Sequence, residues 1–209
     1  MDTLFMQLLY SAKSVLQGQW ASPLLLAMGL MTIPLSHAAD WRMDTQQANM
    51  SFKTTGMMSV EGVFPAFESR LQGDLFKPEN LQIEVKIYTD QVVTGKRISD
   101  EMLKGASFFN VKKYPYATFS SNRIQIIDQQ HSKVQGDLTL AGITRSIEFK
   151  VKLSKPRIDA NTQIMTVYAS ADIVINRNNW GMTSFSGLVD PMVILHLKIP
   201  FVSTGKESP

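Results

Sequence analysis

Three stretches of this chain alternate apolar and polar residues, and that pattern limits what the chain can fold into. Leu81, Ile83, Val85 and Ile87 are interleaved with Gln82, Glu84, Lys86 and Tyr88. Ile147, Phe149, Val151 and Leu153 alternate with Ser146, Glu148, Lys150 and Lys152. Val193, Leu195, Leu197, Ile199 and Phe201 alternate with Ile194, His196, Lys198 and Pro200. Successive side chains of a strand point to opposite faces, so each run has one apolar face and one mostly wet face. That is the signature of antiparallel sheet solvated on one side. Weaker runs at 50–54, 60–67, 70–76, 116–126, 133–140 and 164–175 read as further strands. Turn signals at 77–80, 128–132 and 155–161 separate several of them. About eight such strands suit a closed barrel better than an open sheet, because closure removes vulnerable edges. Only 97–104 reads as a helix, with Ser99 and Asp100 near its start and Gly105 after it.

An eight-stranded antiparallel barrel has an interior just wide enough for side chains or for one small ligand. Phe52, Phe64, Phe67, Phe108, Phe109, Phe119, Phe149 and Phe185 are spread over many of these runs. Collectively they make a low-polarity wall suited to an apolar ligand. Met57, Met58, Met102 and Met182 add adaptable bulk. The same residue types would also pack a filled core, so hollow and filled interiors both stay open at this point. Phe108 and Phe109 stand just before Pro115, which forces an extended path. A short helix thus delivers aromatic bulk to one end of the sheet, to plug a barrel mouth or line a cavity.

The 209 residues include no cysteine, which removes disulfides, thiolate nucleophiles and Cys-type zinc sites together. The net charge of +3 is mild and its basic residues are scattered. A nucleic-acid binder more often shows a concentrated basic stripe, whereas transient contact with an anionic membrane is compatible with such a balance. Residues 23–35, PLLLAMGLMTIPL, carry no charge and lead into Ser36-His37-Ala38-Ala39. The run is shorter than the roughly 20 apolar residues of a comfortable bilayer span. It reads as a secretory signal peptide, 1–38, cleaved after Ala38 and leaving one exported, periplasmic domain, 39–209. A start downstream of Met1, or retention of the segment as an anchor, are the other readings.

Catalytic chemistry finds little support. His37 leaves with the leader, His131 sits in a polar turn, and His196 lies on the outward register of the last strand. No G-x-S-x-G elbow, H-E-x-x-H pair or phosphate-cradling glycine loop occurs. Asp100, Glu101 and Asp172 are candidate acids, but a carboxylate at a helix start usually serves the helix dipole. The expectation is a binding protein, not an enzyme, with no cofactor and no metal.

Five ordered segments resemble the YceI-like family of bacterial exported proteins. They are Val60-Glu61-Gly62-Val63-Phe64; Thr94-Gly95 with Asp100-Glu101-Met102-Leu103-Lys104; and Phe108-Phe109-Asn110-Val111 with Tyr114-Pro115 through Thr118-Phe119. Next come 136–144, GDLTLAGIT, and 176–182, NRNNWGM. The resemblance implies a lipocalin-like barrel that binds a long isoprenoid, quinone-like or amide-bearing lipid, with no known catalytic set and with dimers among its members. It adds Leu138, Trp180 and Met182 to the expected cavity residues, and Arg177, beside Trp180-Gly181-Met182, becomes the head-group candidate. Many members carry a histidine in a first strand of the form F-x-[IV]-x-H, where this chain has Phe52-Lys53-Thr54-Thr55-Gly56. The leading expectation is a periplasmic carrier of a long apolar ligand. The alternatives are an envelope enzyme acting on a bound lipid or quinone, and a filled barrel serving as a stress-response interaction module. In the last case an exposed strand or the loop near Met57-Met58 would mediate dimerisation.

Overall fold

A computed structural model describes residues 41–75 and 77–203. The leader expected at 1–38 lies outside the described residues. The described chain is one strongly curled antiparallel sheet with one short α-helix. Its strands are β1 (Trp41–Met43), β2 (Asn49–Thr54), β3 (Glu61–Val63), β4 (Phe67–Gln72), β5 (Gln82–Tyr88) and β6 (Tyr116–Ile126). They continue with β7 (His131–Leu140), β8 (Ile143–Leu153), β9 (Arg157–Ile158), β10 (Met165–Asn176) and β11 (Met192–Ser203). The helix, α1, spans Arg97–Lys104, the bounds expected from its letters. The sheet runs β3-β2-β11-β10-β8-β7-β6-β5-β4, with β1 paired to the end of β11 and β9 to the start of β10.

The two ends of this path are consecutive in sequence. β3 and β4 are joined by Phe64, Pro65 and Ala66, and among the described residues no ladder pairs them. Pro65 has no N–H to give to a ladder, which splits the continuous strand expected at 60–67 and places Phe67 at the head of β4. The gap is bridged more sparingly. Val63 pairs with Val93 in an isolated bridge, and the Tyr88 N–H donates to the Ala66 carbonyl at 3.0 Å. The sheet is therefore a half-barrel curled around its core, not a ladder-closed cylinder, and eleven strands stand where about eight were expected. The strand expected at 70–76 is shorter as well, since β4 ends at Gln72 and Gly73 turns with a φ of +109°.

The alternation does set the faces. On β10, Val167, Ala169, Ala171, Ile173 and Ile175 are buried in strict succession, and on β7 so are Ser132, Val134, Gly136 and Leu138. In β6 the pairing shifts register between Ser121 and Arg123, a bulge that keeps Ile124 facing inward.

The β7–β8 hairpin turns in two residues. Leu140 pairs directly with Ile143, leaving Ala141 (φ +47°) and Gly142 (φ +78°) as a two-residue turn. Positive φ at both positions is the primed geometry that matches strand twist. A side-chain carbon on Gly142 would fall inside the Tyr114 ring. Gly142→Ala is expected to lower stability by about 1–3 kcal/mol, from left-handed strain and displacement of Tyr114. The urea midpoint of the variant measures it.

Candidate functional site

The inward faces of the strands do not fill the space that they enclose. An outer chamber of about 230 Å³ lies beneath α1, and a second, called the inner one below, of about 120 Å³ lies further along the strands against Leu75, Pro78 and Leu81. An apolar cavity of about 150 Å³ is already large enough to stay dry and accept benzene. The interior is hollow.

The outer chamber is lined by the inward residues of the alternating strands, among them Val85, Ile87, Ile147, Ile173, Ile175 and Leu195. Of the residues expected from sequence, it brings together Phe52, Phe64, Phe108, Phe109, Phe119, Leu138, Phe149, Met182, Phe185 and Arg177. Phe67 and Trp180 are buried but line neither chamber. Phe67 packs in the core cluster at the head of β4. Trp180 lies behind the wall, its indole N–H donating to the Leu138 carbonyl at 3.1 Å. Thr54, near the place of the family's first-strand histidine, does line the chamber, but its hydroxyl is bonded to Val60.

The rings are ordered along the cavity. Phe52 touches Phe64 and Phe64 touches Phe109, with centroids 5.4 and 5.8 Å apart. Phe119 and Phe149, 5.6 Å apart, line both chambers together with Met50, Val85 and Leu197, so they form a neck between them. The Phe119 ring lies directly on Gly136, where any side-chain carbon would collide with it. Small inward residues (Ala117 in the outer chamber, Ala169 and Ala171 in the inner one) leave the space open. The sequence carried that signal in the small residues of the inward register, beside its large aromatics.

Polar groups at the mouth are turned toward their own chain. Arg177 is 4% exposed. Its guanidinium donates to the Met182 carbonyl, to the Val189 carbonyl at 3.2 Å and to the Asp190 carbonyl at 3.4 Å, and it lies 6.0 Å from the centre of the Phe108 ring. Burial pulls its pKa below the ordinary arginine value, and the nearby Asp190 charge opposes that shift. The side chain thus holds the loop after the 3₁₀ turn Arg177–Trp180 against the cavity. Gly181 ends that turn with a φ of +76°, so a left-handed conformation explains the glycine. Arg177→Lys keeps the charge but loses the planar fork. The expected result is a loss of about 2 kcal/mol or more and faster amide exchange across 182–190.

Two carboxylates brace the same end. Asp100 accepts from the Thr94 hydroxyl and the Thr94 N–H, each at 2.6 Å, and these bonds hold its carboxyl below the usual range. It is the tether of the loop entering α1 and gives that helix no side-chain cap. Asp190 accepts from the Met192 N–H at 2.8 Å and the Thr55 hydroxyl at 2.9 Å, again lowering its pKa. A carboxyl depressed in the folded state adds stability that is complete above the unfolded pKa of about 3.9 and is lost as pH falls through the folded value. The stability difference between the protein and Asp100→Asn should therefore be constant above about pH 5 and shrink steadily below about pH 4, in urea titrations at each pH. Among the described residues, no group of three His, Asp or Glu side chains is placed to hold a metal ion. His131 is bonded to Asp128 and His196 to Asp172, both on the outer surface.

Comparison with known proteins agrees with this geometry. A UPF0312 protein of Pseudomonas putida (strain W619) is 31% identical over 131 residues, covering 61% of this chain and 68% of the relative. The crystal structure of Burkholderia cenocepacia BcnA superposes with a TM-score of 0.67 at 21% identity, over 78% of this chain and 100% of that one. A polyisoprenoid binding domain from Saccharophagus degradans, implicated in plant cell wall breakdown, gives a TM-score of 0.57 at 13% identity, over 79% of this chain and 98% of that one. At such identities the structural likenesses establish the fold. A family profile described as YceI-like domain matches residues 41–201, most of the chain, and the protein belongs to that family.

Proposed function

We propose that the protein is a carrier that sequesters a long apolar lipid tail, isoprenoid or quinone-like, inside its half-barrel, and that it acts as a binding protein and not as an enzyme. The observation that carries this reading is the pair of apolar chambers that lie on either side of Phe119 and Phe149. The polyisoprenoid binding domain of like fold supports the choice of tail. Burial of each methylene is worth about 0.8 kcal/mol, or about fourfold in Kd, so a long tail binds firmly without special polar chemistry. The lining offers little to a reaction. Thr54, Thr89 and Ser99 are its hydroxyls, and three Arg177 donors are already given to backbone carbonyls. The remaining guanidinium N–H groups are our candidate contact for the head group of the lipid. With the apolar leader, the reading places the working protein in the periplasm.

Protein recovered from cells should carry an apolar molecule, detected as extra mass in native mass spectrometry and identified after organic extraction. Ala117 is 1% exposed and lines the outer chamber, so Ala117→Phe fills space that the tail needs. The variant should fold and lose binding of a long-chain polyene fluorophore by about tenfold or more, the equivalent of two methylenes displaced. Unchanged binding by Ala117→Phe would overturn the cavity as the binding site.

A further inference from the structure

The mouth of the outer chamber is ringed by apolar side chains that face water. Met57 is 84% exposed and Ile98 is 75% exposed, and Met58, Met102, Phe185 and Leu188 are exposed with them. They come from three segments that are tied together. The Met58 N–H donates to the Leu188 carbonyl at 2.9 Å, and Phe185 stacks on Phe108 at 6.2 Å. Met58, Met102 and Phe185 themselves line the chamber, so the rim is continuous with the cavity wall. Ile98 lies one helical turn from Met102, on the same face of α1. Apolar exposure concentrated at one end of a fold marks an interaction surface.

The charge around this rim is positive. Lys96, Arg97, Lys112 and Lys113 are exposed and Lys104 is half-buried, all on or next to α1. Against them stand Glu101, Asp100 and Asp190, and the two aspartates are already engaged, Asp100 by Thr94 and Asp190 by Thr55 and the Met192 N–H. Unbranched, adaptable methionines within a basic border match the interface of an anionic bilayer, where apolar residues enter the acyl boundary and lysines meet phosphate. A long lipid tail has negligible solubility in water, so a carrier must take it up where lipid already is.

We propose that this rim is a membrane-docking face. Met57, Met58, Ile98, Met102, Phe185 and Leu188 enter the headgroup–acyl boundary of an anionic bilayer, the flanking basic residues hold its phosphates, and lipid passes through the mouth into the outer chamber. The proposal rests on the carrier reading for its purpose, but its contact with the bilayer is tested separately.

The absence of cysteine makes that test direct. Met57→Cys, Ile98→Cys and Ile126→Cys are each labelled with a polarity-sensitive dye and mixed with equimolar phosphatidylglycerol–phosphatidylcholine vesicles or with pure phosphatidylcholine vesicles. Ile126 is exposed at the end of β6 remote from the mouth. The expected result is a blue shift at positions 57 and 98 with the anionic vesicles, a weaker one with pure phosphatidylcholine, and none at 126. Adding Lys96→Glu with Arg97→Glu should raise the lipid concentration for half-maximal shift by about tenfold or more. No shift at the rim, an equal shift at 126, or indifference to the charge reversal would overturn the docking face. So would a shift at 57 that depends on protein concentration without vesicles, which identifies a second copy as the occupant. Binding of the polyene fluorophore without vesicles is measured in parallel. Met57→Asp with Leu188→Asp, labelled at Ile98→Cys, should keep that binding and lose the shift with vesicles. A rim that docks in protein that binds no fluorophore would retain the docking face and defeat the carrier reading.

Discussion

Small side chains at inward positions keep this half-barrel open, and every functional property discussed above depends on that. Alternation delivers one inward residue at every second position of a strand, and large residues at all of them would pack the interior solid. Here Ala117 on β6, Gly136 on β7, and Ala169 and Ala171 on β10 stand where bulk would close it. The aromatics then have room to act as walls and as a neck. Phe119 can lie across the sheet only because Gly136 has no side chain beneath it.

The mouth shows the complementary device. A hollow apolar chamber needs a rigid frame, but polar framing groups pointed into it would spoil its surface. Arg177, Asp100 and Asp190 resolve this by spending their hydrogen bonds on neighbouring loops. Arg177 stitches the loop after the 3₁₀ turn, Asp190 ties that loop to the one after β2, and Asp100 secures the approach to α1. Charged residues thus serve as fasteners, and the selectivity left to the cavity is chiefly one of size and apolarity.

Much of this was legible in the letters, because period two is a property of backbone geometry. The inward residues of β5 and β8 were those named by alternation, as were those of β11 up to Ile199, beyond which Pro200, expected on the wet face, and Val202 are buried as well; α1 fell between its expected bounds. The strand count was less legible. Pro65 interrupts a run whose side chains look continuous, and the two-residue strand β9 and three-residue strand β1 are too short to show a period. Individual roles were the hardest to read. Phe67 and Phe64 are equally apolar, yet only Phe64 reaches the chamber, since the break at Pro65 leaves Phe64 in the connection after β3 and puts Phe67 at the head of β4. Asp100 looked like a partner of the helix dipole, and its true partner Thr94 lies outside the helix. The hollow interior could not be inferred from aromatic content, because walls and fillings draw on the same residues. It follows from where the small residues fall in register.

A void of this kind has an energetic consequence that links stability to occupancy. Wall atoms that face the outer chamber lack the packing partners a filled interior would give them. An occupant that fills the chamber restores those contacts and, by binding only the folded state, also stabilises it through mass action. The fastened mouth loops gain a second meaning in that light. A frame held by Arg177 and two carboxylates braces the loops around the chamber and so opposes its collapse. The braced mouth acts together with the packed core around the chambers, so the domain is held at both.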